Sequence, residues 1–422
     1  MSISKFVRCC LLFIAIASSG GTLQADNSAE VSGQVRARFE IDKKSFHPNA
    51  AAKSLFGLRT RLATHFLIDN NTHFFAQLQD SRRLGGQNSM GEDQSGTLND
   101  SRNVDIHQAY VKIDELWQDG IGLQLGRFEV NLGNQRVFGS VGWHNVGRSW
   151  EGAHGFMDRS RFDVSGYWLK RREVNDPGEN RDFDIVGINM HLKNYGSEFL
   201  FFGEHDADRS ADEMATAIDR LNRMNIAVYS KRTYDPVDLE MNAVYQFGQQ
   251  RASRGDTVFS EQDISAILIT FEAGYMVDSE RDARVAVGFD YSSGDEDPSD
   301  GTYEAYDNLY YTGHKFRGYM DYFVGSNAEG LFDLMARGRI SPAQGWLLQA
   351  DVHYFRTDQE YVGSHDETSK NIGGEIDLGL STTTIPGVAF TCGGSVFFPD
   401  NAYAGEENDP GLWLYTMFTA GF

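Results

Sequence analysis

The chain has 422 residues, of which 41% are hydrophobic, and it contains 44 glycines but only 8 prolines. Its formal net charge of −22 at pH 7 argues against a nucleic-acid partner, because phosphate contacts need a positive protein face. This glycine and aromatic content, with hardly any long helical pattern, predicts a large antiparallel β protein.

The first 25 residues are predicted to be a secretory signal peptide that is cleaved off. Lys5 and Arg8 provide its positive region, residues 9–17 form a short apolar stretch, and cleavage is expected after Ala25. The apolar stretch is too short to cross a membrane, which requires about 20 residues. We expect the mature chain, residues 26–422, to be a single exported domain, because no linker interrupts it.

Alternation of apolar and polar residues predicts about 18 strands in the mature chain, an even number as bacterial barrels require. The predicted strands begin near Val31, Leu55, Thr72, Val104, Ile121, Ser149, Arg161, Phe183, Ser197, Arg223, Pro236, Asp263, Asp282, Leu331, Gly345, Lys370, Pro386 and Gly411. Tight turns such as 193–195 alternate strictly with long polar loops such as 292–328. This pattern predicts an all-β fold, a transmembrane antiparallel β-barrel with short periplasmic turns and long extracellular loops.

Alternation also predicts which side chains face the lumen. Arg59 and Arg61 alternate with leucines that face outward, and Arg337 and Arg339 alternate in the same way in a later strand. An arginine on the lipid face at the membrane midplane would cost about 2–4 kcal/mol, so these arginines are expected inside. Arginine stays charged, and rings of arginine make a pore favour anions.

Carboxylates are expected on the same inner face of the barrel. They are Glu40, Asp163, Asp333, Asp351, Glu375 and Asp377. Paired with arginine they would form bidentate contacts that only fill the lumen. Structural pairing and anion attraction therefore remain alternatives for each arginine.

The loop over residues 292–328 is rich in acidic and aromatic residues. Asp295, Asp297 and Asp300 could order the loop by binding Ca²⁺ through oxygen ligands, although their spacing is not that of an EF-hand. A solvated acidic loop is the preferred interpretation, and no other cofactor is expected. The aromatic rings could stack on sugars or fold into the barrel mouth as a plug. Cys392 is the one cysteine of the mature chain, so no internal disulfide and no cysteine metal site are expected.

The last predicted strand places Leu414, Thr416, Phe418, Ala420 and Phe422 on one face. A lipid-facing strand with an aromatic terminus is typical of the strand that closes an outer-membrane barrel, and strands cross a bilayer only when their sheet closes on itself. We expect Phe422 to be the contact to the barrel-assembly machinery. The predicted location is the outer membrane of a Gram-negative cell, with its lipid as a partner.

Three sequence blocks resemble the alginate-export family of outer-membrane proteins. The blocks are residues 126–139 with Trp143 and 145–152, residues 291–301 with 310–321 and Asn327, and residues 374–378. The resemblance covers essentially the whole mature chain. It implies a monomeric 18-stranded barrel whose arginine-lined pore lets an anionic polysaccharide diffuse, with periplasmic export partners. From the first block it implies that Arg127, Arg136 and Arg148 line the pore.

Two other functions remain open at this stage. A general or nutrient-uptake porin for small solutes shares every architectural feature and would differ only in pore charge and width. An enzyme is not expected, because no Gly-x-Ser-x-Gly motif or Asp-His-Ser cluster stands out. A serine and a histidine at hydrogen-bond distance near the outer leaflet would argue for one. The favoured function is passive diffusion of an alginate-like polysaccharide or oligosaccharide.

Overall fold

The strands of this protein form one closed antiparallel sheet. The computed structural model describes residues 28–83, 102–173, 182–206, 218–253, 259–406 and 408–422. The predicted signal peptide, residues 1–25, lies outside the described residues. Each wall strand pairs with its neighbours along the chain, and the last strand pairs with the first. The predicted closed 18-stranded barrel is therefore confirmed.

The described residues contain the following strands. They are β1 Ser28–Lys43, β2 Lys53–Leu67, β3 Thr72–Arg83, β4 Arg102–Ile113, β5 Ile121–Phe128, β6 Trp150–Asp158, β7 Phe162–Arg172, β8 Phe183–Leu192, β9 Ser197–Asp206, β10 Ile218–Tyr234, β11 Val237–Ser253, β12 Phe259–Asp278, β13 Ala283–Ser292, β14 Thr302–Tyr303, β15 Leu331–Ile340, β16 Trp346–Val362, β17 Thr368–Ile385, β18 Val388–Pro399 and β19 Gly411–Gly421. All except the two-residue β14 form the wall.

Within the described residues, helical structure is limited to single turns. The 3₁₀ turns are Lys193–Tyr195, Gly313–Lys315 and Ser364–Asp366, and the α-helix α1 spans Asn401–Ala404. In the part of the chain that the structure describes, no helix has the length and apolar character needed to cross a membrane.

Most predicted strands begin within three residues of the observed ones, but two begin earlier than expected. β10 starts at Ile218 and β12 at Phe259. The apolar alternation does not reveal these first residues, because long strands carry polar residues where they rise above the lipid. Short turns such as 235–236 lie at one end of the barrel, which we call the turn side, and long connections lie at the other, the loop side. The alternation in length is not strict, since the loop-side connection 363–367 is as short as a turn.

The two faces of the wall follow the predicted alternation. In β19, Leu414 and Phe418 are about half exposed, whereas Trp413 and Tyr415 on either side of Leu414 are buried. In β15, Leu334 is exposed and Asp333 is fully buried. Apolar side chains therefore face outward, and polar and aromatic side chains face the lumen.

Two loops fold back into the lumen and fill much of its loop-side half. Loop A, residues 129–149, follows β5, and loop B, residues 293–330, follows β13. They meet at a parallel bridge between Phe138 and Tyr310, and the ring centroids of these residues lie 5.2 Å apart. Two clusters of buried apolar side chains, one on each side of the lumen, join the loops to the inner wall. The long aromatic loop therefore folds inward.

Candidate functional site

Arginines of β1 and β2 hold loop A against the wall. Arg36 Nη1 donates to the carbonyl oxygen of Gly142 at 2.7 Å, and Arg59 Nη1 donates to the same oxygen at 3.2 Å. Arg38 Nη1 donates to the carbonyl oxygen of Trp143 at 2.6 Å, and its guanidinium lies over the Trp143 ring. All three arginines are buried. Arg59 thus faces the lumen as predicted, but its donors are engaged by loop A.

Arg61 lies beside Arg59 and also holds the start of loop A. Its Nε donates to Gln79 Oε1 at 2.6 Å, and Nη1 lies 3.5 Å from Glu129 Oε1. Glu129 in turn lies 2.7 Å from His107 Nε2. Glu129 and Glu40 are the carboxylates that pair directly with Arg36, Arg38, Arg59 or Arg61 among the described residues. This part of the wall is therefore positively charged.

Asp290 of β13 joins both loops to the wall. Arg136 of loop A lies 2.5 Å from its carboxylate, and Arg317 of loop B donates to both of its oxygens at 3.2 Å. The Arg136 guanidinium also lies 3.7 Å from the centroid of the Phe316 ring. Burial lowers the pKa of Arg136, although the charge of Asp290 opposes this effect. Arg136 therefore serves the packing of the loops as well as lining the cavity below them.

A second charged cluster fixes the middle of loop B. Arg223 of β10 makes a bidentate contact with Glu204 of β9 and lies 2.8 Å from Asp307 of loop B. Tyr310 donates its hydroxyl to Glu204 at 2.7 Å. Burial alone would raise the pKa of Asp307, but the charge of Arg223 and several hydrogen bonds outweigh it and lower that pKa to about 2.

One inward carboxylate of β17 holds the second half of loop B, and others of β15 and β17 surround a buried histidine of the wall. Glu375 accepts the backbone N–H of Met320 at 2.8 Å. His353 lies 2.8 Å from Asp333 and 3.8 Å from Asp377, and all three side chains are fully buried. Among these predicted wall carboxylates, Glu375 thus binds the backbone of loop B, whereas Asp333 and Asp377 pair with a histidine of the wall itself.

A cavity of about 990 Å³ opens below the loops and reaches the turn side, where Pro236 and Ser279 line it. We call it the vestibule. Its basic wall residues are paired: Arg284 contacts Asp238 and Glu272, and Arg337 contacts Glu272 and Asp351. Further pairs at its rim are Arg339–Asp282 and Lys231–Glu240. The vestibule is therefore lined by both signs of charge.

Lys315 projects from loop B at the ceiling of the vestibule. Its Nζ donates to the carbonyl oxygen of Asn134 at 3.0 Å, and its side chain is exposed. No carboxylate of the described residues pairs with it. Partial loss of hydration around the ammonium group lowers its pKa. Sequence reasoning missed this lysine, although it lies in the second of the blocks that carry the family resemblance.

Arg127 does not face the lumen, which corrects its assignment as a pore-lining residue. It shares its face of β5 with Leu125, which is 49% exposed, while the adjacent Phe128 is buried inside. Its Nη1 pairs with Glu151 Oε1 at 3.4 Å, on the outer face of β6. The resemblance suggested Arg127, whereas the alternation of this strand places it outside.

Arg148 lies where loops A and B meet. Its Nη1 donates to the carbonyl oxygens of Tyr310 at 2.5 Å and Gly139 at 3.3 Å. A smaller cavity on the loop side is lined by Arg148 and by Arg171 of β7. Sequence reasoning did not single out Arg171, although its inward face follows from the alternation with Leu169.

The acidic stretch of loop B does not form the calcium site considered above. Asp297 accepts hydrogen bonds from the backbone N–H and hydroxyl of Ser299, and Asp300 accepts the backbone N–H of Thr302. These are local turn contacts. Among the residues the structure describes, no group of three His, Cys, Asp or Glu side chains could hold a metal ion. Asp295, Asp297 and Asp300 are thus not supported as ligands.

One histidine and one serine do lie within hydrogen-bond distance. His154 Nε2 is 3.1 Å from Ser165 Oγ, and its Nδ1 faces Gln124 at 3.5 Å. The histidine ring stacks on Tyr167 in the middle of the inner wall. An amide in place of a carboxylate cannot stabilise a charged imidazole. The pair is therefore a packing contact within the wall.

Comparison with solved structures shows the same fold in other outer-membrane proteins. The outer membrane protein opdK from Pseudomonas aeruginosa aligns with a TM-score of 0.60 at 8% identity, covering 94% of this chain and 98% of that one. Pseudomonas aeruginosa OccK3 (OpdO) aligns with a TM-score of 0.58 at 9% identity, covering 94% and 96%. Acinetobacter baumannii OccAB1 aligns with a TM-score of 0.59 at 9% identity, covering 95% and 99%.

Comparison with family descriptions identifies the relationship more directly. No curated protein matches the chain. The model of one family, described as alginate export, matches residues 28–410, which is nearly all of the barrel and includes both inner loops. This outer-membrane β-barrel channel belongs to the alginate export family.

Proposed function

We propose that the channel passes anionic oligosaccharides or polysaccharides by passive diffusion, guided by cations of the lumen. The observation that carries the proposal is the vestibule, where Lys315 has no carboxylate partner among the described residues and Arg337 and Arg339 line the wall nearby. A sugar carboxylate can exchange with the protein carboxylates that now pair with these arginines. Such contacts are strong enough to attract a solute and weak enough to release it.

Family membership supports this choice. Alginate export is the family description, and the family's barrels are transport proteins rather than enzymes. Alginate is a polymer of uronic acids, so a carboxylate on every sugar is the feature that lumen cations can recognise.

A porin for small solutes is the second candidate. The observation that favours it is the pairing of wall charges, since Arg284 and Arg337 both contact carboxylates in the vestibule. Loops A and B also narrow the lumen. Such a lumen would conduct small ions of both signs with little preference.

Planar-bilayer recording of the refolded protein separates the two candidates. We expect anion selectivity in a salt gradient and block by uronate oligomers but not by neutral oligosaccharides. Arg337→Glu combined with Arg339→Glu should weaken or invert the anion preference, because each exchange replaces a lumen cation by an anion. Lys315→Gln should weaken it without disturbing an ion pair.

Arg356→Gln is the matched control for these variants. Arg356 is exposed and lies beside the fully buried Phe355, so it faces away from the lumen. Its removal should leave selectivity unchanged. Cation selectivity of the unmodified protein, or the absence of uronate block, would assign the channel to small solutes instead.

A further inference from the structure

A second cavity lies on the loop side of the lumen and is separate from the vestibule. We call it the outer cavity, and its volume is about 270 Å³. Loop A contributes Arg148, and loop B contributes Leu309 and Tyr310. β7 contributes Arg171 and also Lys170, whose ammonium group is already paired with Glu173, Asp182 and Asp184. No carboxylate is present in its lining among the described residues. This distinguishes it from the vestibule, where basic and acidic side chains alternate.

Arg171 faces the outer cavity and has no ionic partner within the described part of the chain. It lies two positions after Leu169, which is 1% exposed on the inner face of β7. Its guanidinium rests over the rings of Phe183 and Tyr310, at 5.0 and 5.7 Å from their centroids. No carboxylate of the described residues pairs with it, and the side chain is exposed. Its hydrogen-bond donors are therefore available to a ligand.

Arg148 supplies a second cation to the same cavity. It donates to backbone carbonyl oxygens of both loops, which fixes its guanidinium in place. Burial lowers the pKa of Arg148 to about 10, and the nearby charge of Arg171 acts in the same direction. Arg148 and Arg171 line the same small cavity and repel one another, so an anion bound between them would be stabilised by both.

We propose that Arg148 and Arg171 form a binding site for the carboxylate of an acidic sugar at the loop-side mouth of the channel. The site rests on the function proposed above and adds to it a second station, distinct from the vestibule. The planar guanidinium of Arg171 matches a carboxylate with two parallel hydrogen bonds. The cavity volume is close to the lower end of small-molecule pockets, about 300 Å³, which suits one sugar unit rather than a folded segment of polymer.

The test uses the full refolded chain in planar bilayers, with D-glucuronate, glucose or inorganic phosphate added on the loop side. Arg171→Gln should raise the half-blocking concentration of D-glucuronate about tenfold, as expected when a charge-assisted hydrogen bond is lost. Arg171→Lys should restore part of the block, because it keeps the charge without the fork. The control variant Arg356→Gln, which lacks an outward-facing cation, should be blocked by D-glucuronate at the same concentration as the unmodified protein.

Each alternative outcome has a separate meaning. Unchanged glucuronate block in Arg171→Gln would overturn the outer site, and the vestibule variants would then show whether the channel function survives. Block by phosphate but not by D-glucuronate would overturn the assignment to a sugar carboxylate and indicate a phosphate site. Equal block of the channel current by D-glucuronate and glucose would overturn both the outer site and the proposed function.

Discussion

Single charged residues of the wall determine where the inner loops lie. Asp290 receives an arginine from each loop, and its side chain is fully buried. A buried carboxylate with two cations is compensated, but a buried cation that loses its partner is costly. The cost of changing such a residue therefore falls on the loops rather than on the strand that carries it.

Asp290→Asn should detach both loops from β13 while the wall stays closed. Leaving Arg136 and Arg317 without a buried partner is expected to destabilise the inward fold of the loops by about 3–5 kcal/mol. Limited proteolysis of the refolded protein should then cut within residues 129–149 and 293–330. Glu296→Gln, which neutralises an exposed carboxylate of the same loop, should stay as resistant as the unmodified protein. Equal resistance of Asp290→Asn would contradict the assigned role.

Asp307 makes the stability of the folded loop B depend on pH. Its pKa is lowered to about 2 in the folded loop, against about 3.9 in an unfolded chain. A group with a depressed folded pKa contributes stability above its unfolded pKa, and that contribution is lost as the pH falls through the folded value. Loop B should therefore loosen between about pH 4 and pH 2.

The open-channel current noise of the refolded protein, recorded from pH 6 down to pH 2, measures this effect. We expect the noise to rise below about pH 4 and the Asp307→Asn variant to be noisy across the whole range, since Arg223 has lost its loop partner. An acid transition that is identical in Asp307→Asn would show that another group controls it.

At the scale of the element, loop B depends on one glycine as much as on its charges. Gly318 has φ +76°, a region that side chains rarely adopt, and a Cβ built there would lie 2.6 Å from the Glu375 carboxylate. The turn at Gly318 brings the N–H of Met320 onto that carboxylate. A larger residue would have to push the loop away from the wall.

Gly318→Ala should therefore weaken the docking of loop B. Backbone strain alone costs about 1 kcal/mol, and the clash with Glu375 should add to that cost. Gly325→Ala is the matched control, because a Cβ at Gly325 meets nothing within 4 Å. Hydrogen exchange of residues 313–323 should rise in the first variant and stay unchanged in the second. Unchanged exchange in Gly318→Ala would mean that the wall gives way instead.

At the scale of the whole molecule, the wall could be predicted from the sequence and the lumen could not. Alternation repeats along every strand, so Leu334 and Asp333 are assigned to opposite faces without knowledge of the fold. The partners of Arg59 and Arg136 depend on how loops A and B run through the lumen, and no local pattern specifies that path. Lys315 and Arg171 were missed for the same reason, because the absence of a paired carboxylate in the described residues becomes visible only once the loops are placed.

The pairing of β1 with β19 has a consequence for the order of assembly. Gln34 lies opposite Gly421, so closing the wall joins segments separated by nearly the whole chain. Contacts this distant carry the largest loop-closure entropy and form slowly. Until they form, β1 and β19 are open edges that can pair with any other strand. The chain therefore depends on being kept from aggregation until its last strand is in place, and an assembly factor that binds that strand would act at the slowest step.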